Sequence, residues 1–317
     1  MSNALKDLQE SLQKNIGEVL FGAESAIDAL VIATVARGHV LLQGVPGIGK
    51  TLLAKTLAEL IGGDFQRVQG TPDLMPSDII GVHILERESS SFKFSPGPLF
   101  TDVLLFDEVN RTGPKIQSAL LQAMEERKVN IDREQFDLSS EFFVIATQNP
   151  HDFEGTYPLP ESQLDRFLVR MTMDYPERSA EARVLAAYDK PEAATHDNTA
   201  KLQPIVTPEV LQQARLEASS ATITDDVYNY GLDIAEASRN HQRLALGLST
   251  RGLLAMMRCA RVTAVMNGRD YVTPDDIQQV APLTMPHRLL LTPEAALENL
   301  SEETLVEQLM NDVAVPR

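Results

Sequence analysis

The sequence predicts an α/β fold in which a parallel five-stranded sheet, flanked by helices, is followed by an all-α domain. Through the first half of the chain, short apolar runs alternate with helical patterns, which is typical of a parallel sheet. A glycine-rich segment follows the first of these runs and leads directly into a helix. From about residues 174–177 the strand signal fades and helical periodicity takes over. We therefore predict a core over residues 1–175 and a helical domain over residues 176–317.

The elements of the core follow in a regular order. Strands are predicted at residues 39–43, 65–69, 103–106, 142–146 and 169–173. Helices are predicted at residues 2–18, 23–37, 52–60 and 115–127. Threonine followed by proline and an acidic residue favours a helix start. The threonine side chain can cap the free N–H groups, proline fits the first turn, and the acid interacts favourably with the positive end of the helix dipole. This signal occurs at Thr71, Thr207, Thr273 and Thr292.

Two hairpins and a C-terminal helix complete the predicted structure. The hairpins interrupt the alternation at about residues 81–96 and 129–139, where β-prone runs flank polar turns. In residues 292–317, leucines recur at roughly helical spacing among acidic residues. We interpret this tail as a helix packed on the helical domain with a solvated acidic face, in preference to an acidic arm that binds a partner.

Composition narrows the classes of function. The 317 residues carry a net charge of −17, which argues against a nucleic-acid footprint because duplex binding depends on Lys and Arg. Solubility explains this acidity more simply than an acidic docking surface. The single cysteine, Cys259, is expected as a packing residue and fits a reducing compartment. Since the N-terminus lacks an apolar leader and no stretch has membrane length, we expect a cytoplasmic protein without a membrane span.

A phosphate-binding loop is predicted between the first strand and the helix that follows. Two glycines separated by four residues, then Lys and Thr, allow backbone N–H groups to turn towards a polyphosphate. Lys50 would reach the β- and γ-phosphates, and the Thr51 hydroxyl is placed to bind Mg²⁺. A glycine-rich turn without a ligand is the alternative, against which the strand–loop–helix context argues. The predicted nucleotide-binding residues are Gly44, Val45, Pro46, Gly47, Ile48, Gly49, Lys50, Thr51 and Leu52.

Polar residues end two other predicted strands. Asp107 and Glu108 follow the third strand, so one carboxylate can hold Mg²⁺ through water while its neighbour polarises the attacking water. The metal-binding residues are thus predicted to be Thr51 and Asp107, and Glu108 the catalytic base. Two exposed acids at the start of a turn are the alternative. Asn149 follows the fourth strand. At this position it is interpreted either as a residue that forms a turn or as a residue that contacts the ligand.

Seven segments in a characteristic order point to a family. They cover residues 44–51, 71–78, 96–100, 105–111, 146–150, 159–167 and 268–276. With these motifs the chain resembles the MoxR family of AAA+ ATPases over nearly its whole length. The resemblance implies an AAA+ core with a helical lid, ATP and Mg²⁺ as ligands, and a homo-oligomeric ring, expected to be a hexamer.

The resemblance also implies roles for single residues. Asn149 would be the polar sensor that hydrogen-bonds the γ-phosphate or orients the water. Arg166 would be the arginine finger that reaches the neighbouring subunit's nucleotide, and Arg251 the lid sensor of nucleotide state. Without the family, Arg166 is interpreted as a surface arginine paired with Asp165, and Arg251 as an ordinary residue of a helix start.

Three further expectations come from the family. Gln69 would hold Glu108 off its water until the ring is loaded. The two hairpins would point at the pore of the ring or at a partner, the alternative being plain edge hairpins. Phe21 and Ala23 depart from the family's usual sequence near the adenine, and Thr250 stands where proline is usual before the lid arginine.

For function, the resemblance implies a ring-forming ATPase that acts as a chaperone-like factor. Such a factor remodels or matures a client protein or enzyme complex, often beside a von Willebrand factor A-domain protein. A slow nucleotide-gated scaffold or timer is the alternative, since it uses the same pocket. A nucleic-acid motor is a third class, opposed by the net charge and by the lack of an appended DNA-binding module.

Overall fold

A computed structural model describes residues 4–86, 91–131, 134–149, 155–189 and 202–316. In these ranges the strands are β1 Val40–Gly44, β2 Phe65–Gln69, β3 Gly81–Glu86, β4 Ser91–Pro96, β5 Val103–Asp107, β6 Lys128–Ile131, β7 Glu134–Asp137, β8 Phe143–Gln148, β9 Val169–Met173, β10 Leu244–Leu246 and β11 Leu290–Leu291. The longer helices of the core are α1 Ala4–Gly17, α2 Glu24–Val35, α3 Lys50–Leu60 and α5 Pro114–Glu126, with short helices α4 Pro76–Ile80 and α6 Glu161–Leu164.

The central sheet has five strands in the order β2–β5–β8–β1–β9. All neighbouring strands run parallel, so their C-terminal ends meet at one edge of the sheet. Every residue of β5 is buried, as expected for a strand covered on both faces. The five predicted strands and the predicted core helices are therefore confirmed.

The second half of the chain is helical, as predicted, apart from the short antiparallel pair β10–β11. Its helices are α7 Arg178–Tyr188, α8 Pro208–Ser220, α9 Asp225–Arg239, α10 Thr250–Met266, α11 Pro274–Thr284, α12 Pro293–Leu297 and α13 Glu302–Asp312. Thr207, Thr273 and Thr292 are the N-cap residues of α8, α11 and α12, which confirms three of the four predicted helix starts.

The fourth predicted start, at Thr71, is wrong. Thr71 begins a turn, in which the Leu74 N–H donates to the Thr71 carbonyl at 3.3 Å. The helix begins five residues later at Pro76, where the Asp78 carboxylate accepts from the Met75 N–H at 2.7 Å. A second proline and a second acid therefore provide the helix start.

The hydrophobic core continues across the predicted domain boundary. One cluster of buried residues joins α1, α2 and one face of the sheet to α8, α10 and α11. The backbone N–H of Leu5 in α1 donates to the Glu217 carboxylate of α8 at 3.1 Å. The division at residues 174–177 therefore separates two sequence patterns that share one core. Among the described residues, no helix is both long and apolar enough to cross a membrane.

The predicted hairpins and tail are also formed. β3 pairs with β4 and β6 with β7, both antiparallel, and the Phe94 and Phe136 rings stack at 4.3 Å between the two hairpins. In the tail, Leu305 and Leu309 of α13 are buried against the helical domain. Cys259 is buried in α10, and burial raises the pKa of its thiol to about 12, so it is a packing residue as expected.

Candidate functional site

The phosphate loop lies at the edge of the sheet formed by the C-terminal ends of the strands. It leaves β1 at Gly44 and enters α3 at Lys50. Gly49 has a φ of +96°, and a Cβ on Gly44 would lie 2.5 Å from the carbonyl oxygen of Met173. Side chains at either position would strain or block the loop. The first N–H groups of α3 lack partners within the helix by geometry, so the loop suits an anion.

The loop lysine lies close to the two predicted acids. Lys50 Nζ donates to the Gly44 carbonyl at 2.8 Å, so the side chain folds back across the loop. Burial lowers the pKa of the Lys50 ammonium, and attraction to Asp107 and Glu108 opposes that shift. The loop and both carboxylates are thus within electrostatic reach of each other.

Asp107 and Glu108 are held at the strand ends by Thr147 of β8. The Thr147 hydroxyl donates to Asp107 Oδ1 at 3.1 Å and accepts from the Glu108 N–H at 2.9 Å. Glu108 has a φ of +56°, a left-handed conformation that costs free energy in a residue other than glycine. A Cβ on Gly70 would lie 2.3 Å from the Glu108 carbonyl oxygen, so only glycine allows this close approach.

Side chains from β2 restrain both acids. Gln69 Nε2 donates to Glu108 Oε2 at 2.8 Å, which confirms the contact that the resemblance implied. Arg67 Nε donates to Asp107 Oδ2 at 2.7 Å, and Arg111 Nε lies 3.3 Å from Glu108 Oε2. Sequence reasoning missed Arg67, although it stands two residues before Gln69 and therefore faces the same side of the strand.

Asn149 also reaches the loop edge. Gln43 of β1 is opposite Gln148 of β8, so Asn149 is level with Gly44 across the sheet. Asn149 is 8% exposed. The structure therefore brings Asn149 beside the loop, while its role as a polar sensor stays a prediction.

The oxygen donors at this edge fit a magnesium ion. Mg²⁺ is usually bound in nucleotide sites by one or two protein oxygens together with phosphates and water. Asp107 supplies a carboxylate at a strand end, and Thr51 supplies a hydroxyl in the first turn of α3. Arg67 occupies Asp107 Oδ2, so a cation already accompanies this carboxylate. Thr51 and Asp107 match the donor set that a magnesium–nucleotide complex requires.

A cavity of about 610 Å³ opens beside the loop, and its walls include Phe21, Leu20 and Tyr175. Leu20 packs against the loop, because a Cβ on Gly49 would lie 2.6 Å from Leu20 Cδ1. The Arg183 guanidinium carbon lies 4.9 Å from the centre of the Phe21 ring, in a cation–π contact. This apolar space beside the phosphate loop suits a nucleotide base, and Phe21 forms part of its wall.

Arg166 and Arg251 lie together at the opposite edge of the sheet. Arg166 Nε lies 3.4 Å from Glu125 Oε2, and Arg251 Nη1 donates to Glu125 Oε1 at 3.1 Å. Arg166 precedes β9, whose first residue is level with the first residue of β1. The structure therefore brings Arg251 to Arg166, and does not bring either arginine to the phosphate loop of the same chain.

We name Arg166 and Arg251 the arginine pair. A cavity of about 780 Å³ between the core and the helical domain contains both, and Arg37, Arg127 and Arg258 also line it. Guanidinium groups so concentrated favour an anionic occupant.

Two residues at this edge were missed by sequence reasoning. Glu125 bridges the arginine pair from the last turn of α5, and Arg288 Nε donates to Asp165 Oδ1 at 2.6 Å. Arg166 is thus paired with Glu125, and Asp165 pairs with residues of the helical domain instead. No spacing in the sequence signals these contacts, because they form only when the helical domain packs on the core.

Comparison with known proteins agrees with this architecture. A model of the ATPase family associated with various cellular activities (AAA) matches residues 39–169, and a model of the AAA lid domain matches residues 236–309. The uncharacterized protein YeaC of Bacillus subtilis (strain 168) is 43% identical over 314 residues, which cover 98% of this chain and 97% of YeaC.

Two further relatives extend the match to a named family and to a solved fold. Chaperone MoxR1 of Mycobacterium tuberculosis is 36% identical over 313 residues, covering 95% of this chain and 81% of MoxR1. A crystal structure from Cytophaga hutchinsonii, described as a candidate ATPase, has a TM-score of 0.90 at 35% identity and covers 99% of this chain and 96% of that chain. The chain therefore belongs to the MoxR family of AAA+ ATPases, with an AAA+ core followed by a helical lid.

Proposed function

We propose that copies of this chain assemble into a ring, expected to be a hexamer, in which ATP is hydrolysed between neighbouring subunits to remodel or mature a client protein. The observation that carries the proposal is the placement of the phosphate loop and the arginine pair at opposite edges of one sheet. Because a single chain does not bring its arginines to its own loop, a complete site requires two copies. Membership of the AAA+ family supports ATP as the substrate.

Within the proposed site, each residue of the loop edge has a separate task. Loop N–H groups and Lys50 hold the phosphates, while Thr51 and Asp107 hold Mg²⁺. The metal, when bound, neutralises charge on the phosphates. Glu108 polarises the attacking water, and Asn149 orients that water or bonds the γ-phosphate. The half-buried position of Glu108 beside the loop supports its assignment as the base.

The arginine pair of one subunit is proposed to act on the nucleotide of the next. Guanidinium groups stabilise the charge that spreads over the transferred phosphoryl group, and a finger supplied in trans makes hydrolysis depend on assembly. The Arg166 and Arg251 side chains are 31% and 50% exposed, which supports access by a neighbour. Glu125 holds the two like charges together until a phosphate replaces it.

A slow nucleotide-gated scaffold is the second candidate, and the restraints on the acids favour it. Gln69 and Arg111 engage Glu108, and Arg67 engages Asp107. Turnover is expected to stay slow while these contacts persist, so a loaded ring would serve as a timer. The two candidates differ in whether hydrolysis changes the client or only limits how long it is held.

The exposed apolar side chains of β3 and β4 in the first hairpin support contact with a client. Ile84, Leu85 and Phe92 are 51%, 57% and 72% exposed. Large apolar side chains clustered in water indicate a surface that contacts another protein. We propose that this hairpin contacts the client, with a von Willebrand factor A-domain protein as a further partner, in the cytoplasm. The relative named as a chaperone supports this type of role.

Mixing two inactive variants tests the proposed site. Arg166→Ala subunits keep the loop and the acids but offer no finger, whereas Glu108→Gln subunits offer a finger but lack the base. We expect mixed rings to regain ATP turnover, because a Glu108→Gln subunit can supply Arg166 to an Arg166→Ala neighbour. A mixture that regains none would contradict the trans site. Native mass spectrometry with ATP counts the subunits, and a monomer under every nucleotide condition would contradict the ring.

A second experiment tests the client surface. The Glu108→Gln variant, loaded with ATP, should retain a client, and the added change Phe92→Ser should weaken that retention without altering ATP binding. Lys14→Ser, at an exposed position on α1, serves as the control for a surface change far from the hairpin. Equal retention with and without Phe92 would exclude the hairpin as the contact.

A further inference from the structure

Arg288 joins the lid to the core with every hydrogen-bond donor of its guanidinium engaged. It lies between α11 and β11, its side chain is 2% exposed, and its Nε pairs with Asp165 Oδ1 at 2.6 Å. Its other four N–H groups donate to the backbone carbonyls of Asp165, Phe167, Leu168 and Thr284. A guanidinium has five N–H donors, so this one is saturated.

Four of these five acceptors lie in the segment that carries Arg166. This segment, residues 165–168, leaves α6 and enters β9. The carbonyls of Asp165, Phe167 and Leu168 follow the end of α6, and Arg288 donates to them on both sides of Arg166. Without these donors the Asp165 and Leu168 carbonyls would lose a side-chain partner, whereas the Phe167 carbonyl would keep its contact with His287 Nε2 at 3.1 Å. A buried carbonyl without a partner is costly, so the path of this segment depends on Arg288.

The Asp165 carboxylate extends the same contact to Arg251. Its Oδ1 accepts from Arg288, whereas its Oδ2 lies 3.5 Å from Ser249 Oγ and 4.0 Å from Arg251 Nε. Gly252, the next residue of α10, leaves space for this arrangement, because a Cβ there would lie 2.7 Å from Arg288 Cδ. The start of α10 and Arg288 therefore meet on one carboxylate of the core.

We propose that Arg288 is the positioning residue of the arginine pair, coupling the orientation of the lid to the placement of Arg166 and Arg251 through Asp165. Both arginines then move as a unit when the lid turns relative to β9. A change of lid orientation in one subunit thereby changes the positions of Arg166 and Arg251 at the nucleotide of its neighbour. Arg288 itself acts only through Asp165 and the backbone of residues 165–168. The inference rests on the proposed trans site.

The variant Arg288→Lys tests this role, because it keeps the charge but loses the planar five-donor group. We expect turnover to fall roughly tenfold or more, since small displacements of catalytic groups cost up to about a hundredfold. The Kd for ATP should stay unchanged, because the loop edge is untouched. Arg269→Lys is the matched control, since Arg269 donates to both carboxylate oxygens of Asp276 within the lid, and it should keep its turnover.

Mixed rings separate positioning from a merely structural role. Glu108→Gln subunits carry an intact arginine pair, so mixing them with Arg288→Lys subunits should restore turnover at the Arg288→Lys loops. Mixing Arg288→Lys with Arg166→Ala should restore much less, because both lack a working finger. If Arg166→Ala is rescued by Glu108→Gln but Arg288→Lys is not, the positioning role is overturned and the trans site stands. If neither is rescued, both inferences fail.

A second variant covers the case in which Arg288→Lys does not fold. Asp165→Asn removes the carboxylate that joins Arg288 to Arg251 and leaves the backbone acceptors in place. It should show the same loss of turnover, the same Kd for ATP and the same rescue by Glu108→Gln subunits. Wild-type turnover in a folded Asp165→Asn ring, or in a folded Arg288→Lys ring, would overturn the proposal.

Discussion

The two edges of the central sheet are built in different ways. At the C-terminal edge, the phosphate loop, Asp107 and Glu108 belong to the core, and their partners come from β2 and β8. At the N-terminal edge, Arg166 belongs to the core whereas Arg251 and Arg288 belong to the lid. The phosphate loop and the two acids are therefore held within the core, whereas the arrangement of the arginines depends on how the lid packs. Nucleotide binding and the supply of arginines can therefore vary separately in one chain.

The variant Arg166→Ala tests this difference between the two edges with the largest expected effect. We expect turnover to fall by roughly 10³-fold or more, because an arginine finger stabilises charge in the transition state, with no change in the Kd for ATP. Steady-state turnover and binding of a fluorescent ATP analogue measure the two effects. Arg258→Ala removes an exposed arginine that lines the same cavity and should have little effect. Weaker nucleotide binding in Arg166→Ala would indicate that Arg166 contacts the nucleotide bound by its own subunit.

The variant Glu108→Gln probes the other edge. Loss of the base should reduce turnover by about 10²- to 10⁴-fold and leave ATP bound, because Lys50 and the loop are unchanged. Measuring the nucleotide retained after gel filtration distinguishes this from Lys50→Ala, which should lose ATP. Wild-type turnover in Glu108→Gln would remove Glu108 from the role of base.

A smaller effect is expected when the restraint on Glu108 is removed. Gln69→Ala deletes the donor to Glu108 Oε2, and one hydrogen bond is worth about 0.5–1.5 kcal/mol, so basal turnover should rise about two- to tenfold. Gln66→Ala, three residues earlier and therefore on the opposite face of β2, is the matched control. Slower turnover in Gln69→Ala, measured beside that control, would give Gln69 a direct part in hydrolysis.

The smallest effect concerns stability at the N-terminal edge. His39 Nε2 donates to the Met124 carbonyl, and its Nδ1 accepts from the Val144 N–H, both at 3.0 Å. Burial lowers the pKa of His39 from 6.5 to about 4, so the folded state favours the neutral ring. The resulting stability is fully present above pH 6.5 and is lost as the pH falls towards 4, by up to about 1.4 kcal/mol per pH unit.

Urea unfolding between pH 7 and 4 measures that loss. His39→Asn keeps an acceptor for Val144 but does not titrate, so its free energy of unfolding should fall less steeply than that of the wild type. Part of the slope should remain, because burial also lowers the pKa of His287. Identical slopes would show that His39 is not the group that titrates.

The loop edge was largely predictable because its signals are local. Residues 44–52 follow one another from strand to helix. Asp107 ends β5, and Glu108 and Asn149 directly follow β5 and β8, so a parallel sheet brings them to the same edge. The wrong helix start at Thr71 shows the limit of local signals. The helix begins instead at Pro76, where a second proline is followed by the acid Asp78 in the first turn.

The arginine edge was not predictable in the same way. Arg166 and Arg251 were assigned only by resemblance to a family, and nothing in their spacing placed them on the same glutamate. Glu125, Asp165 and Arg288 are far apart in the sequence and meet only through packing of the lid. Patterns of periodicity describe single elements, whereas these contacts depend on the angle between two of them.

The length of β1 has a consequence for how this ATPase responds to its own abundance. At about 3.3 Å per residue, its five residues separate the two edges by roughly 16 Å, farther than one side chain spans. If the proposed ring forms, a chain diluted below the dissociation constant for assembly should bind ATP without hydrolysing it. Turnover per subunit should rise with protein concentration even at saturating ATP. The amount of this protein, more than the supply of ATP, would set when hydrolysis begins.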